Sequence, residues 1–295
     1  MSRRPFGRTG LDVPVLGFGA MQLGDPRLPD ATAARTLHRA LDLGLTLIDT
    51  ARSYGVSEER IGRHLANRRD EFVLSTKVGY GVEGLPDWTY DCVMAGVDAA
   101  RDRLRTDVID IVHLHSCNLG VLEAGEVAGA LVRCAELGKL RVAAYSGDDE
   151  TLRYAIGSGM FGSVQASTSL CDQQSLDAFA VARDKGLGTL AKRALAGRPW
   201  ASPAVPSDSV HAEYHRRFAA LRGAGLDCEA GQWDELALRF AAYAPGVDCV
   251  IVGGTDPGHL ERNAAAVSAG PLDQGLEARF RETFRRAGTQ WRGLV

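Results

Sequence analysis

The sequence predicts a single α/β domain that spans residues 1–295 and folds as a closed (β/α)8 TIM barrel. Eight short runs of apolar and β-branched residues are separated by stretches with apolar residues three and four positions apart. Strands and helices that alternate in this way form right-handed βαβ units and a parallel sheet. The eight runs read PVLGFG, LTLID, FVLSTK, IDIVHLH, LRVAAYS, SVQAS, GTLAK and CVIVGG.

The segments around these runs carry the signals of the remaining elements. Helix candidates such as TAARTLHRALDLG, SEERIGRHLANRR, YDCVMAGVDAARDRL and EVAGALVRCAELG often end in glycine, a common helix stop. Residues 1–12 contain a Gly-Arg-Thr-Gly turn, so we expect an N-terminal β-hairpin that caps the floor of the barrel. Residues 197–231, with three prolines and a charged helical stretch, predict an extended loop and helix excursion after strand 7 that overhangs the C-terminal rim.

An open doubly wound sheet is the alternative architecture. It requires a GxGxxG phosphate loop between the first strand and a helix. The run GFGAMQLG follows the first strand but lacks that spacing, and no helix opens directly from it. The barrel is therefore favoured.

Composition and charge exclude several classes of function. The formal net charge is -3, the isoelectric point is about 6.2, and charges of both signs are mixed, which disfavours a nucleic-acid partner. No apolar run is long enough for a signal-peptide core or a membrane span. Six scattered cysteines fit free thiols in a reducing compartment. We therefore expect a cytoplasmic protein without a membrane partner, and the oligomeric state is not predicted.

Four polar residues stand at or just beyond the ends of three strand-like runs. Asp49 ends LTLID, Tyr54 follows five residues later, Lys77 ends FVLSTK and His115 ends IDIVHLH. In a barrel these ends meet at one rim, where the chemistry of such folds lies. An ammonium about 4 Å from a phenol contributes roughly 4 kcal/mol at an effective dielectric of about 20, so Tyr54 is a candidate general acid.

The same residues admit structural and metal-binding alternatives. Lys77 and Asp49 can form a purely structural ion pair. His113 and His115 project to the same side of their strand, as in some barrel metal hydrolases. Five further histidines fall in helices or the excursion rather than at strand ends, so metal hydrolysis is disfavoured and no metal is expected. We interpret His113 as a barrel-core residue and His115 as the functional one.

Later strands add groups suited to a bound cofactor. Ser146 ends LRVAAYS and Gln165 lies inside SVQAS, and together they can hold a flat ring that bears an amide. After the last strand, Thr255 or Asp256 can cap a helix whose first amides form a phosphate site, with ordinary capping as the alternative. Arg193, after the seventh strand, can add a second phosphate contact.

Six segments follow one another in an order that is typical of one family. They read RTGLDVPVLGFGAMQLG, LIDTARSYGVSEERIGRHL, FVLSTKVG, RTDVIDIVHLH, GKLRVAAYSG and PGVDCVIVGGTDPGHLERN, and they span nearly the whole chain. The DTAxxYGxSE run is a specific signal. Through these segments the chain resembles the aldo-keto reductase superfamily, as a bacterial-type member.

The resemblance implies a role for each rim residue. The family's catalytic Asp, Tyr, Lys and His match Asp49, Tyr54, Lys77 and His115. Tyr54 would give a proton to a carbonyl oxygen while the nicotinamide gives hydride to its carbon. Lys77, held by Asp49, would make the tyrosine more acidic, and His115 would orient the carbonyl. The implied function is the reversible NAD(P)H-dependent reduction of a small aldehyde or ketone to an alcohol.

The resemblance leaves a second function open, and aromatic residues near the rim indicate a candidate substrate wall. Potassium-channel β subunits resemble this family, so a cofactor-binding redox sensor or regulatory protein with little turnover is the alternative. Trp88, after the third strand, and the excursion that contains Trp200 are candidate walls of the substrate site beside Tyr54 and His115, because aromatic side chains commonly line such pockets. Plain loop packing is the alternative for both tryptophans.

At the nicotinamide end, the chain departs from the family at two places. Ser146 and Gln165 match the positions that bind the carboxamide, but Gly147 replaces a common asparagine. Lys192 and Arg193 stand where an aromatic residue often stacks on the ring.

At the adenosine end, Gly253 and His259 align with a lysine and an arginine that commonly hold the 2′-phosphate. Asn263 matches the adenine contact, and Arg262 is a candidate substitute for the phosphate contact. The expected cofactor is NADP, with NAD or dual specificity as the alternative. The expected cofactor contacts are Gly19, Ala20, Met21, Asp49, Ser146, Gly147, Gln165, Lys192, Arg193, Gly253, Gly254, Thr255, His259, Arg262 and Asn263.

Overall fold

The structure, a computed structural model that describes residues 1–229 and 231–294, contains the predicted closed barrel. Eight parallel strands pair in chain order, and the last pairs with the first. This closure confirms the (β/α)8 prediction over the open sheet. The barrel strands are β3 (Leu16–Gly19), β4 (Leu47–Asp49), β5 (Val73–Val78), β6 (Ile109–His115), β7 (Leu140–Ser146), β8 (Ser163–Ser167), β9 (Gly188–Lys192) and β10 (Cys249–Gly253).

Helices between and after the strands cover the outside of the barrel. Apolar residues from the outer face of the sheet and from the inner faces of the helices form the main core. The helices are α1 (Asp30–Asp42), α2 (Ser57–Leu65), α3 (Tyr90–Leu104), α4 (Leu119–Ala124), α5 (Glu126–Glu136), α6 (Asp149–Ser158), α7 (Leu176–Asp184), α8 (Ser209–Gly223), α9 (Trp233–Tyr243), α10 (Pro257–Ser268) and α11 (Gln274–Ala287). No helix within the described residues is long and apolar enough to cross a membrane.

The predicted N-terminal hairpin closes the floor of the barrel. Its strands β1 (Arg3–Pro5) and β2 (Asp12–Pro14) pair antiparallel. Phe6, in the turn, is fully buried and packs with a second core cluster formed by inward-facing residues from the barrel strands. Gly188 leaves room for it, because a Cβ there would lie 2.5 Å from the Phe6 ring. The hairpin reaches further than the predicted residues 1–12, since β2 includes Val13 and also Pro14, the first residue of the predicted first barrel strand.

The predicted excursion follows β9, the seventh strand of the barrel. An irregular segment leads from Arg193 to α8, and α9 then precedes the last strand. Val210, His211 and Tyr214 of α8 line the cleft at the C-terminal rim, so the excursion overhangs the rim as expected.

Candidate active site

The C-terminal ends of three barrel strands bring the four rim residues into one cleft of about 710 Å³. Asp49 ends β4, Lys77 lies one residue before the end of β5, and His115 ends β6, while Tyr54 comes from the loop before α2. Nζ of Lys77 lies 5.0 Å from the centre of the Tyr54 ring. The rings of Tyr54 and His115 are 6.0 Å apart and nearly perpendicular. A small molecule in this cleft can therefore contact a phenol and an imidazole at once.

Lys77 and Asp49 form a buried ion pair beneath Tyr54. Nζ of Lys77 lies 2.6 Å from Oδ2 of Asp49 and donates to the backbone carbonyl of Thr50 at 2.8 Å. Burial opposes both charges, but the attraction between the two groups outweighs it. The pKa of Lys77 is therefore raised and the pKa of Asp49 is lowered. Both groups are charged at neutral pH, so a fixed ammonium remains beside the phenol.

The second oxygen of Asp49 connects the ion pair to later strands. Oδ1 accepts hydrogen bonds from Ser75 Oγ at 2.8 Å and from Gln165 Nε2 at 3.1 Å. Oε1 of Gln165 in turn accepts from Ser146 Oγ at 3.0 Å. Gln165 and Ser146, predicted as cofactor contacts, thus share one hydrogen-bond network with the ion pair.

His113 and His115 lie in different surroundings, although both are neutral at pH 7. His113 is fully buried inside the barrel, with Nε2 3.1 Å from Ser75 Oγ. Burial lowers its pKa to about 3. Burial and the nearby charges of Lys77 and Lys192 lower the pKa of His115 to about 3 as well. Within residues 1–229 and 231–294, no three His, Cys, Asp or Glu residues are grouped closely enough to hold a metal ion.

The cleft wall contains part of the set of residues predicted to touch cofactor or substrate. The predicted residues that line it are Gly19, Met21, Asp49, Tyr54, Lys77, His115, Ser146, Gln165, Lys192, Arg193 and Gly253. The predicted residues outside its lining are Ala20, Trp88, Gly147, Gly254, Thr255, His259, Arg262 and Asn263.

Several residues line the cleft without having been predicted, among them Gln22, Tyr80, His211 and Tyr214. Gln22 directly follows the predicted Met21, and Tyr80 lies three residues beyond Lys77. Both stand outside the strands, where no periodic pattern indicates which way a side chain points. The signal that could have identified Gln22 and Tyr80 was their proximity in sequence to Met21 and Lys77, which were predicted to lie in the site.

Trp88 lies behind the cleft wall rather than on it. Its ring is 5.5 Å from the ring of Tyr80, and Tyr80 occupies the cleft surface in its place. Trp88 is therefore placed to support the wall through Tyr80.

The side chain of Tyr145, in β7, explains why glycine stands at position 147. Tyr145 is buried and its hydroxyl donates to the carbonyl of Cys117 at 3.0 Å. A Cβ at position 147 would lie 2.5 Å from that hydroxyl. The buried Tyr145 side chain leaves no room for the asparagine that is common in the family.

Lys192 stands where many family members have an aromatic residue, and it places an amino group at this edge of the cleft. Its Nζ lies 3.4 Å from Oδ2 of the buried Asp148, whose Oδ1 accepts a hydrogen bond from the backbone N–H of Ser167 at 2.7 Å. Burial lowers the pKa of Lys192, and the attraction of Asp148 opposes that effect. This edge of the cleft is therefore polar.

Helix α10 begins with an ordinary side-chain cap. Asp256 accepts a hydrogen bond from the backbone N–H of Gly258 at 2.9 Å. Nε2 of His259 lies 3.7 Å from the same carboxylate. The capping alternative accounts for Asp256, and its negative charge stands beside the helix N-terminus where a phosphate was considered.

A parallel barrel whose mouth holds a phenol, a fixed ammonium and a neutral imidazole belongs to the barrel proteins whose rim can support proton transfer. The family assignment is more specific. The model of the Aldo/keto reductase family matches residues 15–282, and the chain belongs to this family. This match confirms the resemblance.

The chain is similar to several characterised or solved members. An L-galactose dehydrogenase from Arabidopsis thaliana is 30% identical, and the match covers 90% of this chain and 88% of that protein. A probable voltage-gated potassium channel subunit beta from the same plant is 26% identical, with 92% and 93% covered. The solved aldo-keto reductase AKR11C1 from Bacillus halodurans, in its holo form, is 25% identical with a TM-score of 0.83, and 96% of each chain is covered.

Proposed function

We propose that the protein catalyses the reversible NAD(P)H-dependent reduction of an aldehyde or ketone to an alcohol. The observation that carries this proposal is the meeting of Tyr54, Lys77 and His115 in one cleft. A carbonyl oxygen has two lone pairs, and the phenol and the imidazole can each donate a hydrogen bond to it. A bound nicotinamide supplies the hydride to the carbonyl carbon.

Tyr54 is the proposed proton donor. When its hydroxyl gives up the proton to the carbonyl oxygen, a phenolate forms beside the ammonium of Lys77, which stabilises it. Asp49 keeps that ammonium charged and in place. In the reverse direction the phenolate accepts the proton of the alcohol. His115 is neutral and therefore contributes a hydrogen bond rather than a proton.

Groups in the cleft beyond the four residues support the binding of a dinucleotide. Gln165 and Ser146 place an amide and a hydroxyl on the wall next to the ion pair. Arg193 lines the same cleft, and among the described residues its guanidinium donates to Ser167 Oγ at 3.3 Å, which leaves other N–H groups for a phosphate. We propose NADP as the cofactor, with Arg262 as a further phosphate contact and NAD or dual use as the alternative.

The substrate is proposed to be a small carbonyl compound that also carries hydroxyl groups. Polar side chains of Gln22, Ser116 and His211 line the cleft around the four rim residues. Such groups can hydrogen-bond a polyol chain. The similarity to an L-galactose dehydrogenase supports testing aldoses together with reactive aromatic aldehydes.

The test compares wild type with Tyr54→Phe on a panel of aromatic aldehydes, ketones and aldoses, with NADPH and with NADH. We expect wild type to oxidise the reduced cofactor, and Tyr54→Phe to lose at least about 100-fold in turnover while its affinity for the cofactor is unchanged. Undiminished turnover by Tyr54→Phe would contradict the mechanism. The ratio of rates with the two cofactors decides between NADP and NAD.

The alternative function is a nicotinamide-binding regulatory protein on the same fold. The similarity to a probable potassium channel subunit beta is the observation that favours it. It predicts tight binding of the cofactor by wild type and no oxidation with any member of the panel.

A further inference from the structure

The two ring nitrogens of His115 have different surroundings. Nδ1 lies 2.9 Å from the hydroxyl oxygen of Tyr80. Nε2 has no hydrogen-bond partner among the residues that the structure describes. The rings of Tyr80 and His115 are 5.6 Å apart and nearly parallel, at 21°. A neutral imidazole carries one hydrogen, so the bond at Nδ1 decides whether Nε2 is a donor or an acceptor.

The chemistry of the two partners indicates the direction of that bond. A phenol hydroxyl is a stronger donor than a neutral imidazole N–H, and the imidazole nitrogen without hydrogen is a stronger acceptor than a phenol oxygen. Tyr80 therefore donates to Nδ1, and the single hydrogen of the ring resides on Nε2. Because burial keeps the pKa of His115 near 3, this arrangement is not disturbed by protonation at neutral pH.

We propose that Tyr80 is a positioning residue that fixes neutral His115 as the tautomer with its hydrogen on Nε2. In this tautomer Nε2–H donates to a carbonyl oxygen that also accepts from Tyr54. In the other tautomer Nε2 presents a lone pair, which repels the carbonyl oxygen. The role in turnover rests on the proposed function, whereas the tautomer itself does not depend on it.

The surroundings of Tyr80 hold its ring in position. Trp88 packs against it at 5.5 Å and is anchored by its backbone N–H, which donates to the carbonyl of Gly79 at 2.7 Å. A Cβ at Gly79 would collide with the Trp88 ring, so glycine is needed for this contact. The support runs from Gly79 through Trp88 and Tyr80 to His115. Trp88, which does not line the cleft, therefore contributes to the site by holding Tyr80 in position.

The test measures the tautomer directly. In protein labelled with ¹⁵N at histidine, the nitrogen chemical shifts distinguish a protonated from an unprotonated imidazole nitrogen, and loss of signals in His115→Gln identifies those of His115. We expect wild type to carry the hydrogen on Nε2 and Tyr80→Phe, which keeps the ring, to show a mixture of tautomers. A wild-type hydrogen on Nδ1, or unchanged His115 shifts in Tyr80→Phe, overturns the proposal.

Kinetics provide the second readout. We expect kcat of Tyr80→Phe to fall about three- to tenfold, with KM and cofactor affinity nearly unchanged. Tyr243→Phe is the matched control, because its hydroxyl also makes one hydrogen bond, to the carbonyl of Val267 at 2.8 Å, but outside the cleft. If wild type oxidises no cofactor, the proposed function fails while the nitrogen shifts still decide the tautomer. Turnover in wild type with unchanged shifts in Tyr80→Phe refutes the role of Tyr80 alone.

Discussion

Lys77 is the residue at which stability and chemistry are most closely linked. Removing its ammonium leaves Asp49 buried without a countercharge, and breaking such a pair costs about 3–5 kcal/mol. We expect Lys77→Met to lower the free energy of unfolding by that order. We also expect it to lower turnover with a carbonyl substrate by at least about 100-fold, because the phenolate of Tyr54 loses its stabilising charge. Urea unfolding and initial rates measure the two effects.

A double variant separates these effects. Lys77→Met with Asp49→Asn also removes the carboxylate charge, so we expect it to be more stable than Lys77→Met alone. Its turnover should remain as low as that of Lys77→Met. A double variant as unstable as the single one would show that the unpaired charge of Asp49 is not the source of the loss.

Among individual residues, the sequence predicted the site residues that lie at strand ends. It missed residues whose position depends on packing against other parts of the chain. Asp49, Lys77 and His115 end barrel strands, so the fold itself brings them to one rim. Tyr80 lies in a loop, where the direction of a side chain follows from packing. No local pattern shows that Asp148, which precedes α6, lies beside Lys192 at the end of β9.

The N-terminal hairpin packs into the floor of the barrel through Phe6, with Leu11 and Val13 in the same buried cluster. Phe6 is fully buried among inward-facing residues of the floor, and Gly188 lies against its ring. We expect Phe6→Ala to lower the free energy of unfolding by about 3–5 kcal/mol and Phe6→Leu by less, because more buried contact is lost with alanine. Urea unfolding measures both, and Val205→Ala, on a 64% exposed side chain, should change the value by no more than about 0.5 kcal/mol.

Gly188→Val tests the same contact from the opposite side. A side chain there must displace the Phe6 ring, so the single variant should be destabilised. Combined with Phe6→Ala, it should cost less than the sum of the two single effects, because the smaller residue makes room. Strict additivity would contradict direct packing of these two positions.

Most strands and helices could be predicted from the sequence, whereas their exact boundaries could not. All eight barrel strands coincide with predicted runs, because each is short, apolar and bounded by a helical stretch. The first run began too early, since Pro14 pairs with β1 instead of entering the barrel. Both sides of that boundary are buried, so hydrophobicity alone does not show where the hairpin ends.

The barrel as a whole encloses ionisable groups, and this links the stability of the molecule to pH. His113 is fully buried and its pKa is about 3, against an ordinary value near 6.5. The unfolded chain takes up a proton on this residue below about pH 6.5, whereas the folded protein does so only near pH 3. The free energy of unfolding should therefore fall as the pH drops from about 6.5 towards 3, by at most about 1.4 kcal/mol per pH unit for one such histidine.

The comparison of wild type with His113→Gln isolates this contribution. Asp172 acts in the opposite direction, because burial raises its pKa to about 7 and the folded protein therefore holds a proton that the unfolded chain loses above about pH 4. Asp172 and His115 are present in both proteins, so their effects cancel in the difference. We expect urea unfolding at about pH 7, 6, 5 and 4, roughly between the unfolded and folded pKa values of His113, to show that stability falls less steeply with decreasing pH in His113→Gln than in wild type. Val205→Ala, at an exposed site without an ionisable group, should keep the wild-type slope. Parallel curves for wild type and His113→Gln would mean that the buried imidazole does not resist protonation in the folded barrel.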